Sequence, residues 1–249
     1  MQKELKGDVL YVALDELAYN YDWYRDSSKI NRGVQIISIE DIDEYRNNGY
    51  EFSAPSKFNE GTILVSHPFL PRTYMDITTA EDVIIREKLG CICKIAQKIG
   101  VKNISGGAVF VDEQSLDITA DGHVEYKKVE VGASVSKDEK EKYASTYKIS
   151  RDFSGAYTKD DYNEAIVLLK KYGLEGDPEV RDLVLLRNPD ENNRLISQDV
   201  HMEVTREINT RKEYAFSLNV MSDLFKLEAS VQTSISRLKK VEFNCSVLF

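Results

Sequence analysis

Two pieces of the last 25 positions decide the fold: Phe225-Lys226-Leu227-Glu228-Ala229-Ser230-Val231-Gln232-Thr233-Ser234-Ile235 and Val241-Glu242-Phe243-Asn244-Cys245-Ser246-Val247-Leu248-Phe249. In each, every second position is apolar except for Thr233, and the residues between are Lys, Glu, Gln, Ser and Asn, with Leu248 the one exception. Side chains alternate faces along a strand, so this pattern predicts two strands with one apolar and one polar face. Upstream, Val200, Met202 and Val204 predict a further strand, with Ile208 in phase and Arg206 interrupting. Tyr214, Phe216, Leu218 and Val220 predict another. Residues 195–249 are therefore expected to lie side by side as pleated ribbons, with Phe225 and Ile235 on one side. A helix in that stretch would undo the reading and the roles built on it.

Helical spacing precedes this block. Thr158 with Asp161 opens a predicted helix carrying Ala165, Ile166, Leu169 and Tyr172, stopped by Gly173. Asp177-Pro178 opens the next, with proline at the favoured first position, running through Val180, Leu183, Val184 and Leu186 to Asn188-Pro189. Earlier still, Thr78-Thr79-Ala80-Glu81 reads as a capping box before Ile85, Leu89, Ile92, Ala96 and Ile99, one apolar stripe ended by Gly100.

Between these helices the pattern is β-rich. Ser105-Gly106-Gly107 predicts a chain break, and Asp121-Gly122 a tight hairpin. Val124 and Tyr126 are out of phase with Val129, Val131, Ala133 and Val135, which a bulge near Lys127-Lys128 would reconcile. Tyr143, Ser145, Tyr147 and Ile149 alternate again. Helix followed by meander thus occurs twice, and the words Ala133-Ser134-Val135 and Ala229-Ser230-Val231 suggest a tandem duplication. The predicted class is α+β: antiparallel sheets of two-faced strands with helices packed on one face. Three regions are expected within one globule: an aromatic-rich 1–77, a helix-plus-meander 78–155, and a helices-plus-meander 156–249.

Region 1–77 is the least legible. Val9-Leu10-Tyr11-Val12-Ala13-Leu14 fits a buried strand or a helix, since so short a run has no deciding period. Ser38-Ile39-Glu40-Asp41 predicts a short helix to about Arg46, stopped by Asn47-Asn48-Gly49. His67-Pro68-Phe69-Leu70-Pro71 predicts an extended loop.

Composition removes several classes of function. With 42 acidic against 33 basic residues the net charge is −9, and the cations are interleaved with acids, so duplex nucleic acid is not an expected partner. Three cysteines cannot form a disulfide framework; thiols stored in a reducing cytoplasm are expected. The polar start, Met1 to Asp8, lacks the apolar core of a signal peptide, so a cytoplasmic protein is expected.

Catalytic chemistry is not evident. The three histidines are His67, His123 and His201, and neither of the last two has metal-ligand spacing to another His or Cys. No phosphate loop, dinucleotide fingerprint or nucleophile elbow occurs, so no cofactor, metal or catalytic set is assigned. His67, with Ser66 beside it, is the best candidate base. Tyr19, Tyr21, Trp23 and Tyr24 form an aromatic cluster of the kind enriched at binding hot spots. The favoured role is a non-enzymatic protein that recognises a protein partner or assembles as a homo-oligomer, with Tyr19, Tyr21, Trp23, Tyr24 and His67 as candidate binding residues. One alternative is a membrane-acting, pore-forming effector, since residues 225–235 and 241–249 approach the roughly 9–11 residues of a membrane strand; only there is membrane contact expected. The other is an enzyme with an unfamiliar site near His67.

Overall fold

The computed structural model describes residues 4–16, 18, 33–53, 58–119, 123–128, 144, 146–191, 194–218, 225 and 227–249. It is an α+β protein with two mostly antiparallel sheets. Its contacts divide into two compact units: one of 1–82, 113–129 and 207–238, the other of 83–112, 130–206 and 239–249.

The first unit is built on β1 (Val9–Ala13), all of whose side chains are fully buried. Burial on both faces explains a continuous apolar run without alternation, and it settles that segment as a strand. The sheet order is β2-β1-β4-β5-β3, with β2 at Val34–Ser38, β3 at Glu51–Ser53, β4 at Ile63–Ser66 and β5 at Thr73–Asp76. It is mixed: β2 runs parallel to β1 and β3 parallel to β5, while the other pairs are antiparallel. On one side Leu10, Val12, Ile37 and Leu64 pack with Ile42 and Tyr45 of α1 (Ile42–Asn47). Tyr50 and Tyr74 complete that core, and Phe52 stacks on Tyr74.

The second unit centres on α2 (Ile77–Lys98), whose residues from Val83 onward belong to it. The expected stripe of Ile85, Leu89, Ile92, Ala96 and Ile99 is buried, and so are Ile84, Cys91, Cys93 and Ile95, so the helix is sheathed on more than one side. Gly100 ends it at φ +76°, and a Cβ there would lie 2.3 Å from Tyr157. The cap sits two residues ahead of the expected box: Asp76 Oδ1 accepts from the Thr78 amide at 2.8 Å. Around α2 lie Asn103–Asp112 of β6 (Asn103–Ile118), β8 (Ile149–Asp152), α3 (Lys159–Lys171) and α4 (Pro178–Leu185). The sheet is closed by β9 (Ser197–Glu203) and by β10 (Arg237–Leu248) from Lys239 onward. The Thr158 capping box opens α3, the Asp177 carboxylate caps α4, and Gly173 ends α3 at φ +61°. Lys98 ties α2 to α3 through Asp161 at 2.8 Å and Glu164 at 2.7 Å, and the ammonium with the Thr158 bonds holds the Asp161 carboxyl at about 2. Val241, Phe243, Cys245, Val247 and Phe249 are all buried, as the alternation predicts, opposite Val200 and Met202 of β9.

Four expectations need correction. Residues 229–236 are not a strand but helix α6 (Ala229–Ser236), running directly into β10. The large apolar residues Leu227, Val231 and Ile235 recur every fourth position, which satisfies a helix as well as a strand. Val231 and Ile235 are buried while Ala229 and Thr233 are exposed, as a helix requires. Residues 206–216 are likewise a helix, α5 (Arg206–Phe216), which buries Ile208, Lys212, Ala215 and Phe216. Its period is masked because a cation occupies a core position. Lys212 donates to Glu81 Oε2 at 2.6 Å and to the Arg237 carbonyl at 3.2 Å. Among the described residues the expected second meander is therefore two strands with helices between them, and Ala229-Ser230-Val231, one half of the apparent repeat, opens a helix.

The remaining two corrections are local. Ser105-Gly106-Gly107 does not break the chain but lies inside β6, where a Cβ on Gly106 would meet the Asn244 carbonyl at 2.2 Å. Glycine there permits close backbone approach. The strand expected from Tyr143 begins at Ile149 among the described residues. The Asp121-Gly122 turn and the Val129–Val135 strand lie outside the described residues. Pairing on either side of the turn is that of a hairpin: β6 meets β7 (Val124–Lys128) from Ile118↔Val124 to Gln114↔Lys128.

Candidate functional site

His67 follows β4 and is buried, with its backbone amide bonded to the Thr73 carbonyl at 2.7 Å. Its ring turns inward on its own loop. Nδ1 accepts from the amides of Phe69 at 3.2 Å and Leu70 at 3.1 Å. Two N–H donors on one ring nitrogen assign the neutral tautomer with the proton on Nε2. The lone pair that would make His67 a base is consumed in closing the turn over Pro68 to Arg72. Ser66 serves another network: its hydroxyl donates to Asp8 at 3.0 Å and accepts from Arg211 Nε at 3.1 Å. Arg211 also donates to the Ser66 carbonyl at 2.7 Å and to the Glu207 carbonyl at 2.9 Å. The sequence pair Ser66-His67 is thus two separate structural devices.

Tyr19, Tyr21, Trp23 and Tyr24 lie outside the described residues. At the described end of the chain leading to them, β1 finishes beside Asp15, whose carboxylate accepts the Ser38 hydroxyl bond. Glu40 hydrogen-bonds to the same carboxylate, which raises its pKa, and the charge of Asp15 adds to the shift. The two carboxyls meet because β1 and β2 run parallel and present their C-terminal ends together.

A groove of ≈ 430 Å³ opens on the outer face of the second unit. Its floor comes from paired positions of β9 and β10: Asn244 lies opposite His201, and Ser246 opposite Asp199. Both pairs bond side chain to side chain, His201 Nδ1 with Asn244 Oδ1 and Ser246 Oγ with Asp199 at 2.6 Å. His201 Nε2 lies 3.3 Å from Glu242, and Glu179 of α4 accepts the His201 backbone N–H. Ser105 and Gly106 of β6 form another wall. With an acceptor at each ring nitrogen, the imidazole is held toward its protonated form. Its pKa is raised first by the Asn244 bond and then by the charges of Glu242 and Glu179, against some desolvation and the Lys240 charge.

His201 lies on the polar face of β9, with its side chain 49% exposed. Its partners were missed. Alternation assigns Asp199, Asn244 and Ser246 to polar faces, but the register that joins them is set across 43 to 47 positions. His123 is exposed just ahead of β7.

The three thiols are buried and unbridged. Burial pushes Cys91 and Cys245 up to about 12 and raises Cys93, so they are held protonated. Among the described residues no group of three His, Cys, Asp or Glu side chains could hold a metal ion, and no helix is long and apolar enough to cross a membrane. Comparison with family models, with curated proteins and with solved structures gives no match for this chain.

Proposed function

We propose that this protein acts by binding another protein rather than by catalysis, and that the groove over β9 and β10 is a contact surface. The helices at 206–216 and 229–236 remove the strand argument on which that role first stood, and what supports it now is the groove itself. It is an open ≈ 430 Å³ concavity on a regular sheet, lined by hydroxyl, amide, imidazole and carboxylate groups from four different elements. Rigid elements hold these groups by cross-strand bonds, which is what a recognition surface needs. The carboxylates of Glu179 and Asp199 in the groove lining favour a partner segment carrying Lys or Arg. Buried, protonated thiols suit a reducing, cytoplasmic setting.

The membrane-inserting alternative drew on residues 225–235 as a hairpin strand, and that segment contains helix α6. The alternative of an enzyme centred on His67 drew on an available imidazole base, and the ring's lone pair lies on its own loop.

The test compares the native protein with Asp199→Lys and Ser246→Lys, two exposed groove positions. Proteins retained by the native chain are quantified on each variant after circular dichroism has shown unchanged folding. Selective loss of a retained partner from both variants supports the groove. Identical retention by all three overturns it.

A further inference from the structure

We propose that the groove over β9 and β10 exchanges one cation for another: a lysine or arginine of the partner enters beside Glu179 and Asp199 while the His201 ring releases its proton to solvent, so that binding strengthens as pH rises. The proposal rests on the groove reading and names the regulation of that site.

The groove holds two acids that the protein leaves half used. Asp199 accepts the Ser246 hydroxyl at 2.6 Å through Oδ1, and Glu179 accepts the His201 backbone N–H through Oε2. The second oxygen of each has no hydrogen-bond partner among the described residues, and neither acid pairs with a lysine or arginine there. Both stand on regular elements, β9 and the first turn of α4. The lining contains no lysine or arginine, and its one basic group is the imidazole of His201.

That imidazole is placed to carry a charge. Nδ1 meets the Asn244 side-chain oxygen and Nε2 lies 3.3 Å from Glu242 Oε2, so each ring nitrogen has an acceptor for a hydrogen. The charged groups facing it come from three elements. β10 supplies Glu242, whose other oxygen takes Lys240 at 2.8 Å. α4 supplies Glu179. On β9 itself Asp199 and Glu203 flank the ring two positions away, with Glu203 lying 3.7 Å from Arg206. β6 adds Ser105 and Gly106, which do not titrate. The Asn244 bond first, then the charges of Glu242 and Glu179, hold the ring's pKa above its usual value against burial and Lys240.

A guest ammonium or guanidinium and an imidazolium in one groove repel each other. Over several Å, with the field screened over about 8 Å at physiological salt, that repulsion is worth about 3-fold in affinity. The proton leaves from Nε2, because Asn244 retains the hydrogen on Nδ1, and the lone pair left behind accepts from the guest's N–H. Linkage makes the effect reciprocal: the guest lowers the pH at which the ring titrates by the same factor in proton concentration. Raising the pH therefore removes a proton that stabilises the fold and admits the guest.

The probe is a blocked tetra-arginine peptide, whose only charges are its guanidinium groups. Its affinity for the native chain, measured by calorimetry at constant ionic strength, is expected to rise about 3-fold from about pH 6 to about pH 8. In His201→Asn it should stay constant over that range, and Asp199→Lys should weaken it about 10-fold at both ends. In the native chain the His201 ring resonance, identified by its loss in His201→Asn, should titrate at lower pH with the peptide bound. An equal rise in native and His201→Asn, or a His201 titration unmoved by saturating peptide, overturns the proton exchange and leaves the groove reading standing. Equal binding by native and Asp199→Lys, or none at about 1 mM peptide, overturns the cation preference of the groove and the exchange with it.

Discussion

Two stretches with the same alternating pattern take different structures: residues 229–235 form a helix and residues 241–247 a strand. The difference lies in the size of every second residue. In Val241, Phe243, Cys245, Val247 and Phe249 each alternate position carries a side chain that the core buries. In 227–235 the bulky positions are Leu227, Val231 and Ile235, and the residues between them are Ala229 and Thr233. A period of two contains a period of four. When small residues occupy half of the alternate set, the bulky half describes one face of a helix. Binary alternation therefore specifies a strand only when the apolar set is filled throughout.

The strand side of this contrast carries the largest expected effect. Phe243 is fully buried in the core of the second unit. Phe243→Ala is expected to cost about 3–5 kcal/mol in a urea titration. A loss below about 1 kcal/mol would mean that the filled alternation does not mark the core.

The helix side is hidden by charge as well as by size. In α5 the buried set Ile208, Lys212, Ala215 and Phe216 has helical spacing, but a lysine holds one of its four places. Lys212 is matched by Glu81, 131 positions away, at 2.6 Å. Lys212→Met alone leaves a carboxylate buried without its cation, and about 3–5 kcal/mol should be lost. The pair E81L/K212M should recover most of that, because removing both charges removes the desolvation cost. A double variant no better than the single one would show that Lys212 acts through something other than Glu81.

These residues mark where legibility ends. Local signals carried far: the Thr158 box, Pro178 at the first turn, Gly100, Gly173, the α2 stripe and the two-faced β10 all stand as read. Each is decided within about one turn or one strand of its own residue. What failed depends on partners distant in sequence. Lys212 looks polar until Glu81 is beside it, and Gly106 looks like a break until the Asn244 carbonyl arrives. Ser66 and His67 look like a pair until each bonds elsewhere. The groove is the extreme case, since His201, Asn244, Asp199 and Ser246 are unremarkable singly and meet only through the β9–β10 register.

That register also sets a smaller, pH-dependent effect. The folded state raises the His201 pKa, chiefly through Asn244 and then Glu242 and Glu179. A raised folded pKa means that the proton is bound more tightly in the native state. The stabilisation is therefore complete below about pH 6.5 and is lost as pH rises through the folded value. Because His201 is half exposed, solvent screening keeps the effect at about 1 kcal/mol or less. The urea midpoint of the native chain should fall between about pH 6 and 8, and that of His201→Asn should not. Parallel pH profiles would remove His201 as the titrating group.

The smallest effect returns to the two alternating stretches, and there the sign matters more than the size. Thr233 is an alternate position of the pattern and would face the core of a two-faced strand. In α6 it is exposed, and its hydroxyl donates to the Ala229 carbonyl one turn back at 2.8 Å. That bond competes with no buried partner, and threonine is a poorer helix former than alanine because its branched Cβ crowds the preceding turn. Thr233→Ala is therefore expected to raise stability by about 0.5 kcal/mol. In a strand the same change would strip a β-branched side chain from the packed face and lower stability. One thermal unfolding comparison thus separates the helix from the strand at the position where the sequence pattern is the same for both.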